Sequence, residues 1–131
     1  MKKGIIITGL QCSGKTTKAR EIATQFAKEN VVWITARDKR QYSSPFAFSD
    51  CTKDTQLIII EEIMKVRDVK FFFNCISEGV WVNKKGKNPF IINPQIVLVC
   101  QYKIIKTQLP TGASFTNRFD VIECSYQSVK S

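Results

Sequence analysis

The sequence predicts an α/β domain with a central, mostly parallel five-stranded sheet flanked by helices. Three observations lead to this prediction. Short apolar runs rich in β-branched residues recur along the chain, as in strands that are buried on both faces. Amphipathic stretches with helical spacing lie between several of these runs. The length of 131 residues suits one domain of this kind, and alternating strands and helices are typical of a parallel sheet.

The predicted elements follow from the spacing of apolar residues. The five apolar runs predicted to form the sheet are residues 5–8, 31–34, 57–60, 96–99 and 121–124. Helical periodicity predicts one helix over about 15–29 and another over about 66–76. The polar stretch 37–44 ends at a proline and predicts a loop. Two short apolar runs, 80–82 and 90–92, flank a lysine-rich segment and predict a β-hairpin with a basic tip.

The composition narrows the classes of function. The net charge of +9, from 20 Lys and Arg against 11 Asp and Glu, favours contact with a polyanion such as nucleic acid, although a merely basic protein remains an alternative. No apolar run reaches the roughly 18 residues of a membrane span, so no membrane partner is expected. The five cysteines include no CxxC pair and the chain has no histidine, which argues against a zinc site. The absence of histidine also argues against Ser–His or Cys–His nucleophiles. The cysteines are expected to be reduced thiols.

The most specific motif is GLQCSGKT at residues 9–16, which fits the phosphate-binding loop pattern GxxxxGK[ST]. Gly9 and Gly14 let the backbone turn its N–H groups toward phosphate oxygens, and the next helix adds its positive N-terminal end. Lys15 is predicted to reach the β- and γ-phosphates of ATP, and the Thr16 hydroxyl to ligate Mg²⁺. A chance match is disfavoured because an apolar run precedes the motif and an amphipathic helix follows it. The predicted nucleotide-binding residues are Gly9, Cys12, Ser13, Gly14, Lys15, Thr16 and Thr17.

Two carboxylates, Glu61 and Glu62, directly follow the third apolar run. The carboxyl end of a buried strand is the edge where α/β sheets bind ligands. Glu61 is predicted to hold Mg²⁺ through water, and Glu62 to polarise the water that attacks the γ-phosphate. The alternative is a pair of solvated carboxylates that open a helix and suit its dipole. After a phosphate loop, the pair favours hydrolysis over phosphoryl transfer to a small acceptor.

The order of the later motifs resembles the ATPase core of superfamily 3 helicases, and among them the replication initiators of parvoviruses. SPFAFSDC at 44–51 and LIIIEE at 57–62 resemble the Walker-B region. EGVWVNKKGKNPF at 78–90 is similar to the family's B′ motif and pore hairpin, and NPQIVLVCQ at 93–101 to its motif C. FTNRFDVIE at 115–123 is similar to the segment with the arginine finger. The resemblance covers about residues 4 to 124.

This resemblance implies a P-loop, AAA+-like fold with strand order 5-1-4-3-2 and an inserted hairpin. It implies a homohexameric ATPase that translocates on single-stranded DNA, or unwinds DNA, during replication. By position, Lys84, Lys85 and Lys87 would contact DNA phosphates. Gln101 would sense the γ-phosphate, and Arg118 would reach the nucleotide of a neighbouring subunit. Gln101 departs from the family's asparagine, and its extra methylene moves the amide outward.

Several alternatives remain open at the level of sequence. The Lys-Lys-Gly-Lys turn also suits an ordinary solvated hairpin tip, and Arg118 also suits a surface ion pair. A small P-loop kinase of a nucleotide or metabolite, or a binding module switched by nucleotide, would carry the same phosphate loop. The family places origin-binding and oligomerisation domains before its ATPase core. Residues 1–131 are therefore predicted to be a single ATPase domain without them, hexameric when assembled or monomeric in isolation. A cytoplasmic location is predicted, or a nuclear one for a eukaryotic virus.

Overall fold

A computed structural model describes residues 4–10, 14–36, 47–101 and 119–124. These residues form an α/β fold, and no helix among them is long and apolar enough to cross a membrane. In chain order the elements are β1 Gly4–Gly9, α1 Lys15–Ala23, a 3-10 turn Lys28–Asn30, β2 Val31–Thr35, β3 Leu57–Ile63, α2 Val66–Glu78, β4 Val80–Val82, β5 Phe90–Ile92, β6 Gln95–Cys100 and β7 Phe119–Cys124. The loop predicted at 37–44 lies outside the described residues.

The central sheet has five strands in the order β2-β3-β6-β1-β7, and every neighbouring pair is parallel. The prediction of a parallel five-stranded α/β sheet is confirmed. The strand numbers differ from the predicted 5-1-4-3-2 because β4 and β5 pair with each other outside this sheet. Counted along the chain among the five sheet strands alone, and from the β7 side, the observed order also reads 5-1-4-3-2.

The central strands β1 and β6, and β3 up to Ile60, are buried and largely apolar because both faces of the sheet are covered there, whereas the edge strands β2 and β7 are partly exposed. On one face, residues such as Ile59 and Val97 pack with Ile22 of α1. On the other, residues such as Ile60 pack with Phe72 of α2. Burying each such side chain contributes about 1.5–3 kcal/mol, so the two clusters make the sheet a stable base for the loops at its edges.

Helix α1 is shorter than the spacing of apolar residues predicts. The expected helix over 15–29 is wrong in its second half, since α1 ends at Ala23. The N–H groups of Gln25 and Phe26 donate to carbonyls three residues back, each at 3.1 Å, which tightens the last turn. Ala27 is then extended. Phe26 still packs on the core from this tightened turn. This contact explains why an apolar residue stands at the position where a continued helix would also face the core.

The predicted β-hairpin is present, with Val80 opposite Ile92 and Trp81 opposite Ile91. Its side chains alternate in burial as a half-buried antiparallel pair requires. Val80, Val82 and Ile92 pack into the core on the α2 side of the sheet, whereas Trp81 and Ile91 are exposed. The hairpin is therefore anchored by one face and presents the other to solvent.

Replacing Gly79 with alanine is expected to lower the free energy of unfolding by about 2–4 kcal/mol. Gly79 has φ 93° and ψ 173°, a conformation adopted almost only by glycine. An added Cβ would also lie 2.8 Å from Ile91 Cγ2 and 3.2 Å from the Ile92 carbonyl oxygen. Urea denaturation of the purified chain measures the loss.

Gly86→Ala is the matched control for this substitution. Gly86 has φ 77°, and an added Cβ there would meet nothing within 4 Å. Only the backbone strain remains, so the expected loss is about 1–2 kcal/mol. Equal losses for the two variants would show that close packing at the start of the hairpin contributes nothing.

Candidate active site

The ends of three adjacent parallel strands bring the predicted site residues to one edge of the sheet. β3 ends at Ile63, β6 at Cys100 and β1 at Gly9, and these strands are neighbours in the order β3-β6-β1. Ile63 pairs with Cys100, and the Gln101 N–H donates to the Ile63 carbonyl oxygen at 2.8 Å. The phosphate loop, the acidic pair and Gln101 therefore lie at the same carboxyl edge.

The described ends of the phosphate loop have the backbone geometry that its glycines predict. Gly9 has φ 150° and Gly14 has φ 88°, values that glycine reaches without the clash of a Cβ. Gly14 is the N-cap residue of α1, and the first turn of that helix contains no acidic residue that would offset its positive end. Cys12 and Ser13, in the middle of the loop, lie outside the described residues.

The Lys15 side chain reaches back to the carboxyl end of β1. Its ammonium donates to the Gly9 carbonyl oxygen at 2.9 Å and to the Leu10 carbonyl oxygen at 2.7 Å, and the residue is only 6% exposed. These acceptors are neutral, whereas a phosphate offers charged oxygens and stronger, charge-assisted hydrogen bonds. Thr16 and Thr17 are exposed in the first turn of the same helix. The ammonium and the hydroxyls are thus available at the helix N-terminus.

The acidic pair lies in a β-bulge at the end of β3. The register shifts between Ile60, which pairs with Leu98, and Ile63, so Glu61 and Glu62 occupy the irregular step. β3 continues through both residues and α2 begins only at Val66, which rules out the reading that they open a helix. Bulges redirect side chains near functional sites.

Glu62 is in the left-handed region of backbone conformation, with φ 61°, the one non-glycine residue of the described chain with a positive φ. Holding a non-glycine residue there costs about 1–3 kcal/mol, and such residues cluster at functional sites. Its carboxylate accepts a hydrogen bond from the Thr35 hydroxyl at 2.7 Å. Thr35 lies at the end of the neighbouring strand β2, paired with Glu61. This hydrogen bond holds the carboxylate against the end of β2.

Sequence reasoning missed Thr35 and also Asp68. Asp68 lies in the first turn of α2 and is only 4% exposed. Burial raises the pKa of the Cys100 thiol to about 12, while the positive charge of Lys15 lowers this pKa and the negative charge of Asp68 raises it. The charges of Lys15 and Asp68 therefore both influence the thiol of Cys100, the last residue of β6. Thr35 could have been found from the sequence, because its hydroxyl directly follows the second apolar run. Asp68 could not, because its position among the polar residues of the predicted helix is typical of a surface carboxylate.

The remaining predicted residues lie elsewhere or outside the described chain. Gln101 is half-buried next to the end of β6. Lys84, Lys85 and Lys87 are at the hairpin tip, and the hairpin begins where α2 has returned to the amino edge of the sheet. Arg118 is outside the described residues.

Comparisons with known proteins agree with this architecture. A JCV helicase solved with a bound acetamide compound superposes with a TM-score of 0.62, at 16% identity over 98% of this chain and 38% of that one. The C-terminal region of NrS-1 gives 0.61, at 18% identity over 98% of this chain and 31% of that one. A further JCV helicase structure gives 0.60, at 16% identity over 97% of this chain and 36% of that one.

The chain has a helicase-like fold. At these identities the likeness extends to the fold alone, and the chain spans about a third of the length of those structures. No family model matches the sequence, and no curated protein matches it.

Proposed function

We propose that this chain is a superfamily 3-like ATPase core that couples ATP hydrolysis to translocation on DNA or to its unwinding during replication. The observation that carries the proposal is the geometry of Glu62. This carboxylate is held in a bulge, in a strained backbone conformation, at the same sheet edge as the buried ammonium of Lys15. A carboxylate at this edge can activate water, which supports hydrolysis over nucleotide binding alone.

In this proposal each residue at the edge has one task. The Lys15 ammonium leaves the carbonyls of Gly9 and Leu10 and binds the β- and γ-phosphate oxygens. Glu62 accepts a hydrogen bond from a water molecule and aligns it with the γ-phosphorus. The water oxygen bonds to phosphorus as the bond to the bridging oxygen breaks, which releases ADP and phosphate.

The residues at this edge also fit Mg²⁺. This ion prefers oxygen ligands and in nucleotide sites takes one or two from the protein and others from phosphates and water. The Thr16 hydroxyl in the first turn of α1 and the Glu61 carboxylate at the end of β3 are such donors. Bound there, Mg²⁺ would neutralise charge that develops on the phosphates.

Two further residues complete the proposed site. The Gln101 amide, beside the end of β6, hydrogen-bonds the γ-phosphate. Arg118 enters the site of a neighbouring subunit, where its guanidinium stabilises charge in the transition state. The second assignment requires an oligomer, proposed here as a homohexamer.

Light scattering with ATP, with and without single-stranded DNA, tests whether this oligomer forms. A monomer under all conditions would leave Arg118 without a site.

The rate of ATP hydrolysis with and without single-stranded DNA is the direct test of the function. Stimulation by DNA supports a nucleic-acid motor. Phosphorylation of a nucleotide or metabolite in place of phosphate release would identify a small kinase instead. Nucleotide binding without turnover in either condition would identify a switch module. Each outcome therefore selects one of the three functions that the phosphate loop permits.

Replacing both Lys84 and Lys85 with alanine is expected to weaken DNA binding and to flatten its salt dependence. Two lost phosphate contacts lower the slope of log K against log salt concentration by about 1.4 for a single strand. Binding titrations of a labelled oligonucleotide at several salt concentrations give the slope. The control changes Lys18 and Lys28, on the α1 side of the chain, to alanine and removes the same charge. If the hairpin variant keeps both affinity and slope, the hairpin tip is structural only.

A further inference from the structure

The strand β2 forms one edge of the central sheet, and no strand that the structure describes pairs with its outer side. The Ala36 N–H donates to the Glu61 carbonyl oxygen of β3 at 2.8 Å. Because backbone groups alternate in direction along a strand, Val32 and Ile34 also direct their N–H and C=O groups toward β3. Trp33 therefore directs its own N–H and C=O to the outer side of the sheet.

This edge lacks the features that usually keep a strand edge from pairing with another chain. Native proteins protect such edges with charged residues, prolines or bulges. The sequence of β2 is VVWIT, with no charge and no proline, and the strand pairs with β3 in unbroken register. The outer side of β2 is therefore able to accept a further strand.

A cleft of about 430 Å³ lies beside this edge, on the face of the sheet that α1 covers. The end of α1 and the tightened turn after it form one wall, with Phe26, and β2 forms the other, with Trp33. Trp33 is 41% exposed, although its partner Ile59 on β3 is fully buried. The cleft has room for a few side chains and is too small for a folded domain.

The cleft is positively charged. Arg20, in the last turn of α1, and Lys28, in the 3-10 turn, are among its lining residues, and none of the lining residues in the described part of the chain is a carboxylate. An occupant of complementary charge therefore carries carboxylates. We call the outer side of β2 at Trp33, together with Arg20, Phe26 and Lys28, the edge groove.

Charge argues against a segment of this chain, or a second copy, as the occupant. The parts of the sequence outside the described residues contain several lysines and arginines and a single carboxylate, Asp38, and the whole chain carries a net charge of +9. A nucleic acid strand would bring negative charge, but its phosphates are acceptors only and cannot donate to the outward carbonyl oxygen of Trp33. A peptide strand offers both donors and acceptors along its backbone.

We propose that the edge groove binds an extended acidic segment of a partner protein, which adds a strand to the sheet beside β2. An apolar side chain of this segment packs on Trp33, and carboxylates on either side of it pair with Arg20 and Lys28. Main-chain hydrogen bonds supply affinity in this mode of binding, and the side chains that enter the cleft supply specificity. The three side chains stand at every second position of the segment, because successive side chains of a strand point to opposite faces. This docking site is additional to the proposed ATPase function.

A synthetic peptide and the fluorescence of Trp33 test the proposal. The probe is an acetylated and amidated Thr-Glu-Thr-Phe-Thr-Glu-Thr, which places both glutamates and the phenylalanine on one face when extended. The chain has two tryptophans, so the Trp81→Phe variant leaves Trp33 as the sole reporter. The probe is expected to shift the Trp33 emission to shorter wavelength, with saturation, because it covers an exposed indole. A peptide with lysine in place of both glutamates is expected to leave the emission unchanged. No shift with the acidic probe would overturn the proposal.

Paired charge variants separate the edge groove from the net charge of the protein. Arg20→Ala combined with Lys28→Ala is expected to lower the affinity for the acidic probe roughly tenfold at low ionic strength, since two exposed ion pairs are lost. The matched control is Arg67→Ala combined with Lys70→Ala, which removes the same charges from the exposed side of α2, across the sheet. The control should bind the probe as the parent chain does. Equal losses in the two variants would refute the assignment.

Amide hydrogen exchange measured by NMR tests strand addition separately from side-chain contact. The bound probe is expected to slow exchange of the Trp33 N–H, which points outward, and to change exchange of the Ile34 N–H little, because that group already points toward β3. A probe that shifts the Trp33 emission without slowing exchange of its N–H would overturn the addition of a strand.

The other occupants give different results. Trp33 emission that changes with protein concentration alone would identify a second copy of the chain in the edge groove. Emission that changes with an oligothymidine and not with the acidic probe would identify a nucleic acid. Either result would overturn the proposal. All of these measurements are made without nucleotide, so their outcome does not depend on whether the chain hydrolyses ATP.

Discussion

Lys15→Ala is expected to reduce ATP turnover at least about 100-fold and to weaken nucleotide binding. The variant loses the ammonium that lies 2.7–2.9 Å from the carbonyl oxygens of Gly9 and Leu10. Without it, the negative charge of the bound phosphates is not balanced at the end of β1. Steady-state hydrolysis and equilibrium binding of ATP measure the two effects.

Lys18→Ala is the matched control, because it removes a lysine one turn further along the same helix. The Lys18 ammonium is 3.5 Å from the Glu21 carboxylate, in a solvent-exposed pair. Such pairs contribute at most about 0.5 kcal/mol to stability, so turnover and folding should both stay close to wild type. Hydrolysis by Lys15→Ala at near the wild-type rate would refute the assignment of residues 9–16 as the phosphate site.

The sheet and the edge that carries the site follow from the sequence for a simple physical reason. Strands buried on both faces must be apolar throughout, so runs such as 57–60 and 96–99 are visible without any knowledge of their neighbours. Polar residues placed directly after such runs necessarily lie at the carboxyl edge. This is why Glu61 could be assigned to that edge from its strand alone, whereas Gln101 was assigned through the family resemblance.

The details that orient the site depend on contacts between distant segments, and local spacing does not encode them. The hydrogen bond from Thr35 to Glu62 joins residues 27 apart in sequence and exists only because β2 and β3 pair in one register. The bulge that redirects Glu62 appears only when β3 is aligned with β6. The early end of α1 has the same origin, since Phe26 packs on the core from a turn as readily as from a helix.

Glu62→Gln is expected to bind ATP as the wild-type chain does and to lose at least about 100-fold in hydrolysis. Glutamine has nearly the same shape and the same backbone cost at φ 61°, and its amide oxygen still accepts the hydrogen bond from Thr35. The substitution therefore removes the negative charge and the basicity of one side chain and little else. Single-turnover hydrolysis, with ATP binding measured separately, distinguishes loss of chemistry from loss of affinity.

Two companion variants make this experiment specific to the orientation of Glu62. Thr35→Val keeps the carboxylate but removes the 2.7 Å hydrogen bond that directs it, so the hydrolysis rate should fall by about tenfold or less, with affinity unchanged. Glu61→Gln should instead raise the Mg²⁺ concentration needed for half-maximal turnover, because that carboxylate is assigned to the metal. If Glu62→Gln hydrolyses ATP at the wild-type rate, the strained conformation at the end of β3 has another purpose, and the group that activates water must be sought elsewhere along the edge.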